Sequence, residues 1–231
     1  MKPTLSLAIL ALMLAVLPAQ AGQLVVVEAR GVALKPGSML DDSKPLELKQ
    51  GQHVTLISAS GATLSLDGPY NKPPASEKQG VSLGTKLAAL TTESNARTGE
   101  VGTTRGTAPV AKLPEPWLID AAHAGTACLR EGDTPVFWRV QASDPATLVV
   151  MPDDRSWKVL TRWPAHMDRL SVKTNVPMHG GASYYVSFNG TENAIAINTV
   201  PAALPNDAVR AAWMAEKGCE AQAEVLARAQ K

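Results

Sequence analysis

Short alternating runs closed by glycines set the tightest limit on how this chain can fold. Leu46 and Leu48 alternate with Glu47 and Lys49 before Gly51. Val54-Thr55-Leu56-Ile57 follows, then Ser60-Gly61. Leu64 and Leu66 then alternate with Thr63, Ser65 and Asp67 before Gly68-Pro69. A helix would need apolar residues at helical spacing without those glycines, whereas a strand needs only alternation between turns. With the β-branched run from Leu24 to Val27 ahead of it, the stretch 22–70 is expected to form a small β module.

Residues 71–113 change character. Pro73-Pro74 and a scatter of glycines, from Gly80 to Gly106, sit among serines and threonines. This composition buries too little apolar surface to offset the entropy of ordering. Apart from one short helix on Leu83, Leu87 and Leu90, it reads as a flexible linker that trypsin should cut first at Arg97 or Arg105.

Residues 114–203 return to β patterning, with strands expected at 136–140, 147–151, 157–163, 170–172, 182–188 and 194–200. Ser183, Tyr185 and Ser187 should share one side, and Tyr184, Val186 and Phe188 the other. Asn189-Gly190 opens a hairpin connection read as longer than two residues. The pattern suits a β-sandwich. Residues 204–231 read as a helical tail packed on that sandwich, capped by Asn206 or Asp207 and interrupted near Gly218. Its apolar residues, Val209, Ala212, Trp213, Cys219, Ala223 and Leu226, fall on one narrow face. The expected fold class is mainly β: a small N-terminal β module, a linker, and a β-sandwich-like domain with a C-terminal helical tail.

The start of the chain sets the compartment. Lys2 precedes an apolar run from Leu5 to Leu17, then Pro18 and Ala19-Gln20-Ala21, with small residues at the cleavage positions. Residues 1–21 therefore read as a signal peptide, with a mature chain beginning at Gly22. The run falls short of the roughly 20 apolar residues a spanning helix needs, and no later stretch reads as a membrane span. The chain has 22 basic and 21 acidic residues, so removing Lys2 balances them. Neutrality gives no electrostatic case for nucleic acid. In an oxidising compartment the two cysteines, Cys128 and Cys219, have one intramolecular pairing, with buried thiols or an intermolecular bond as alternatives.

Candidate chemistry is thin. Gly80-Val81-Ser82-Leu83-Gly84 matches the G-x-S-x-G nucleophile elbow, and His179-Gly180-Gly181 with Asp153 or Asp168 offers partners. The elbow needs a buried strand before it, and Pro73 to Gln79 supplies none. His53, His123, His166 and His179 have no metal-binding spacing and read as exposed loop residues. His166 and Asp168 would face one side of a strand. Asp41-Asp42 and Asp153-Asp154 read as turns. Trp138 and Trp213 read as core; Trp157 and Trp163 stay open between core and binding face. No catalytic, cofactor-binding or metal residue is assigned.

The pattern of a strand, a turn and "GQHVTLISASGATLSLDGP" at 51–69 resembles the β module of FecR-like periplasmic proteins. That resemblance implies an envelope module that contacts protein partners or carries a signal. This chain departs from the signalling members in having no cytoplasmic region before its leader. The line "VLTRWPAHMDRLSVKTNVPMHGGASYYVSFNG" looks like immunoglobulin- or fibronectin-like modules. The expected function is an exported, periplasmic or secreted, noncatalytic envelope protein that binds or scaffolds a protein partner or envelope polymer. The alternative is a secreted hydrolase with a dispersed active site. A concave pocket with a hydroxyl, a histidine and a carboxylate in contact would favour the enzyme; edge strands or an exposed aromatic patch would favour the binder.

Overall fold

The computed structural model describes residues 22–78, 80, 112–173 and 178–229. It is mainly β, with two helices near the C-terminal end. The leader, the elbow serine Ser82 and the expected helix on Leu83 lie outside the described residues, as do positions 81–111 of the expected linker.

The N-terminal part contains β1 (Gln23–Arg30), β2 (Met39–Asp41), β3 (Leu46–Leu48), β4 (His53–Ser58), β5 (Thr63–Asp67) and β6 (Tyr70–Lys72). Four of these form an antiparallel sheet in the order β2-β1-β4-β5, while β3 and β6 pair as a ribbon against it. The unbroken apolar run of β1 is explained by burial on both faces. Leu24 and Val26 pack toward the ribbon with Leu48 and Leu56, and Val25 and Val27 pack the other way with Ile57. Strand β6 and the 3₁₀ turn Pro74–Ser76 run past the boundary expected at residue 70.

The second part contains β7 (Leu118–Asp120), β8 (Gly125–Arg130), β9 (Val136–Trp138), β10 (Ala146–Pro152), β11 (Val159–Trp163), β12 (Arg169–Ser171), β13 (Ser183–Phe188) and β14 (Thr191–Val200). A five-stranded sheet, β11-β10-β13-β14-β8, packs face to face on a three-stranded sheet, β12-β9-β7. Leu148, Val150, Val186, Ile195 and Ile197 of the larger sheet meet Ile119 and Phe137 of the smaller one. This is the sandwich expected, with differences. Asn189 and Gly190 both have positive φ and form a two-residue hairpin loop, because β14 starts at Thr191 rather than 194. Strands β7 and β8 were not legible; each takes a parallel partner, β9 and β14 respectively. Cys128 thus lies inside a strand, not ahead of the first one. His166 is in a turn with φ 63°, and Asp168 precedes β12, so the two do not share a strand face.

Helices α1 (Asp207–Glu216) and α2 (Glu220–Arg228) complete the chain. The Asn206 side chain caps α1 by accepting the Val209 N–H at 2.9 Å. Gly218, with φ 81°, closes α1: its N–H donates to the Ala215 carbonyl at 3.0 Å, and that of Cys219 to Met214 at 2.7 Å. This is the left-handed glycine cap that turns the chain into α2. The apolar surface of α1 is broad rather than narrow, because the helix is covered on two sides. Val209, Ala211, Ala212, Trp213 and Met214 are all buried, between Val25, Val27 and Ile57 of the first sheet and Cys128, Val200 and Leu204 of the second part. The tail therefore touches the sandwich and the N-terminal sheet alike.

Candidate functional site

The tail covers only half of the outer face of the five-stranded sheet. Near β8 and β14 the helices sit on it: Asn198 donates to the Lys217 carbonyl at 3.1 Å, and Gly218 lies against Thr126. Farther across, side chains stand in register rows with no element over them among the described residues. Leu160, Val149, Ser187 and Glu192 form one row, and Met151, Tyr185 and Ala194 the next. Leu160 is 66% exposed, while Val149, Met151 and Tyr185 are half-buried. Arg155 leans over Tyr185 at 5.4 Å from the ring and reaches Glu192 at 3.5 Å. The opposite side of β13 carries Tyr184, Val186 and Phe188 in the core, as the alternation predicts.

The two ends of this sheet are finished differently. At β8 the side-chain amide of Gln222, 2% exposed, behaves as the next strand would. Its Oε1 accepts the Cys128 N–H at 2.6 Å, and its Nε2 donates to the Cys128 carbonyl at 2.9 Å and the Leu118 carbonyl at 3.2 Å. Cys128 and Cys219 lie beside it with sulfurs 2.05 Å and Cα atoms 5.8 Å apart, a disulfide. At β11 nothing comparable closes the edge among the described residues.

The N-terminal sheet carries a polar cluster. His53 Nδ1 meets Asp67 at 2.7 Å, and its Nε2 lies 3.1 Å from Thr55 Oγ1 and 3.4 Å from Ser65 Oγ. Beside them Arg30 donates to Glu28 at 2.6 Å, which holds the Glu28 carboxyl below its ordinary value. A carboxylate, a histidine and a hydroxyl are thus in contact, the grouping named above as a sign of an enzyme. Their setting lacks what that chemistry needs. The side chain of Asp67 is 80% exposed, so it fixes the imidazole weakly. The side chains rise from adjacent antiparallel strands whose N–H groups lie in the plane of the sheet, so none points at an oxyanion above Ser65. His53 is half-buried in a strand rather than on an exposed loop.

His123 lies in the loop between β7 and β8, as expected, but is half-buried and takes a carboxylate partner. His123 Nδ1 lies 2.7 Å from Asp120, whose other oxygen accepts the Ala122 N–H at 2.8 Å. The pair borders a cavity of about 120 Å³ with Leu113, Ile195 and Gln222. Since the carboxylate closes its own turn and Gln222 is fully engaged, the arrangement reads as structural. His166 and His179 are exposed. Asp154 accepts the Ser156 N–H at 2.9 Å and Asp41 that of Ser43 at 3.0 Å; both carboxyls are held below their ordinary value by those serines. Gly80 donates its N–H to the Thr63 carbonyl at 2.9 Å. Trp138, Trp163 and Trp213 are core; Trp157 packs on Tyr184, and Trp117 lies under Arg130. No group of three or more potential metal ligands occurs among the described residues, and no described helix is long and apolar enough to cross a membrane.

Compared with protein-family models and with curated proteins, the chain matches none.

Proposed function

We propose that this is an exported envelope protein, periplasmic or secreted, that binds or scaffolds a partner without catalysis. The observation that carries the reading is the open half of the outer sheet face. Leu160 stands exposed on the edge strand β11, with Val149 and Met151 of β10 and Tyr185 of β13 half-buried beside it, while the other half of the same face lies under α1 and α2. An exposed apolar side chain on a free strand edge, flanked by half-buried apolar neighbours, is a footing that a protein partner can use. The disulfide suits an oxidising compartment, and the FecR-like and immunoglobulin-like patterns of the sequence fit an envelope role.

A photocrosslinking residue at Val149 in the full chain, expressed in its native host, tests the binding role. A discrete adduct absent from a control at exposed Glu47 is expected; identical adduct patterns would overturn it. The mass of the exported protein tests the compartment, with a chain beginning at Gly22 expected and a membrane-bound chain retaining Met1 counting against it.

The hydrolase reading has one observation behind it, the contact among Ser65, His53 and Asp67. Purified protein should hydrolyse p-nitrophenyl acetate no faster than its Ser65→Ala variant. A rate lost in both Ser65→Ala and His53→Ala would favour the enzyme.

A further inference from the structure

The backbone shows which groups of β11 are free. Thr147 donates its N–H to Asn189 Oδ1 at 3.1 Å and accepts the Asn189 N–H at its carbonyl, also at 3.1 Å. Both its backbone groups therefore face β13. Successive residues of a strand in an antiparallel ladder turn these groups to opposite sides, so Ala146, Leu148 and Val150 face β11. Their partners are Trp163, Thr161 and Val159. That leaves the N–H and C=O groups of Leu160 and Arg162 directed away from the sheet. Strand β11 ends its sheet, and nothing pairs with its outer edge among the described residues.

The side chains say what kind of strand fits there. Leu160 and Arg162 alternate onto the open face beside Val149 and Thr147, and Lys158, the residue just before β11, continues that alternation in sequence. Neither Lys158 nor Arg162 makes an ion pair among the described residues. Pairing with a second copy centred on Leu160 would set Lys158 against Arg162 of that copy, and like charges directly opposite destabilise a ladder. An acidic strand would instead place a carboxylate beside each cation and an apolar residue beside Leu160.

We propose that β11 accepts an extended segment of a partner polypeptide as an added antiparallel strand, with acidic side chains two residues either side of an apolar one; this rests on the binding reading above. Main-chain hydrogen bonds to Leu160 and Arg162 supply affinity, and the alternating side chains supply specificity. The closed β8 edge, sealed by Gln222, directs the pairing to β11.

The test uses the full mature chain and two blocked seven-residue peptides. One has glutamate second and sixth, valine fourth and threonine elsewhere; the other has lysine for glutamate. The glutamate peptide should slow amide exchange at Leu160 and Arg162 saturably, and the lysine peptide should not. Leu160→Pro removes an outward donor together with the leucine side chain and no backbone bond to β10, which an edge strand tolerates, and should weaken binding about tenfold or more, or 1.4 kcal/mol. Lys158→Glu with Arg162→Glu should reverse the peptide preference, and carries the test if the proline variant fails to fold. Equal response to both peptides, no protection with either, or a dimer abolished by Leu160→Pro would overturn the proposal. If peptides fail but the Val149 adduct persists, strand addition falls and the binding role stands. If both fail, both readings fall.

Discussion

Arg139 is 3% exposed, and its guanidinium meets carbonyls rather than a carboxylate. It donates to Met167 at 3.0 Å, Asp144 at 2.7 Å and Pro164 at 2.7 Å, and lies 5.0 Å from the centre of the Trp163 ring. One planar fork thus ties the loop after β9 to the turn that carries the chain from one sheet to the other. Arg139→Ala would leave three carbonyls without donors, each costing about 1–3 kcal/mol if it stays dry. Water reaches part of this site, so a total loss of about 3 kcal/mol is expected in urea denaturation. Arg139→Lys should recover a minor share, since an ammonium lacks the fork. An unchanged midpoint in Arg139→Ala would mean that the carbonyls hydrate at no cost. Gln222 has a similar duty across the β7 and β8 edges. Gln222→Leu should cost about 2 kcal/mol, because the Cys128 N–H and carbonyl would stay buried without partners. Stability equal to the parent would show that this edge does not need the amide.

The elements show how far local pattern reaches. The β13–β14 hairpin was legible because alternation and Asn189-Gly190 agree, and the Asn206 cap and the Gly218 break were legible for the same local reason. Strand β8 was not. Gly-Thr-Ala-Cys-Leu-Arg has no alternation, and its parallel partner β14 lies far along the sequence. The candidate site was half legible: the outward set of β13 could be read from alternation, whereas the free edge of β11 depends on which strand ends the sheet. The intramolecular cysteine pairing was one of three readings that count and expected compartment left open, and the structure shows it, joining the start of α2 to β8. Its two residues are 91 apart in sequence, so opening the bond frees a large loop in the unfolded chain, worth up to roughly 4–5 kcal/mol on the chain-entropy account. Reduction, or Cys128→Ala with Cys219→Ala, should raise amide exchange in α2 before it does so in β13 or β14. A thiol count on unfolded, unreduced protein should find none free. Two free thiols, or a covalent dimer, would refute the intramolecular bond.

At the scale of the whole molecule, α1 belongs to two cores at once. One side meets Val25, Val27 and Ile57, the other Cys128, Val200 and Leu204. Polar contacts follow the same seam: Thr63 donates to Glu216 at 3.0 Å, and Asn206 donates to the Ala59 carbonyl at 3.3 Å. The disulfide lies entirely on the far side of residue 111, so no covalent bond other than the chain itself joins the N-terminal sheet to the rest. The prediction follows from that arrangement. A site-specific protease sequence placed between residues 91 and 111 and then cut should give two fragments that elute together under native conditions. The apolar contact of α1 with β1 and β4 would hold them without the chain. Trp213→Ala removes the largest side chain of the shared layer and should cost about 3–5 kcal/mol. In the cut protein it should also release the N-terminal fragment, because the same cavity weakens both sides of the helix. Fragments that separate without the mutation would show the seam to be too weak to join the two parts. Fragments that stay together in Trp213→Ala would mean that Met214, Val209 and the polar seam suffice, and that the tryptophan serves the sandwich side alone.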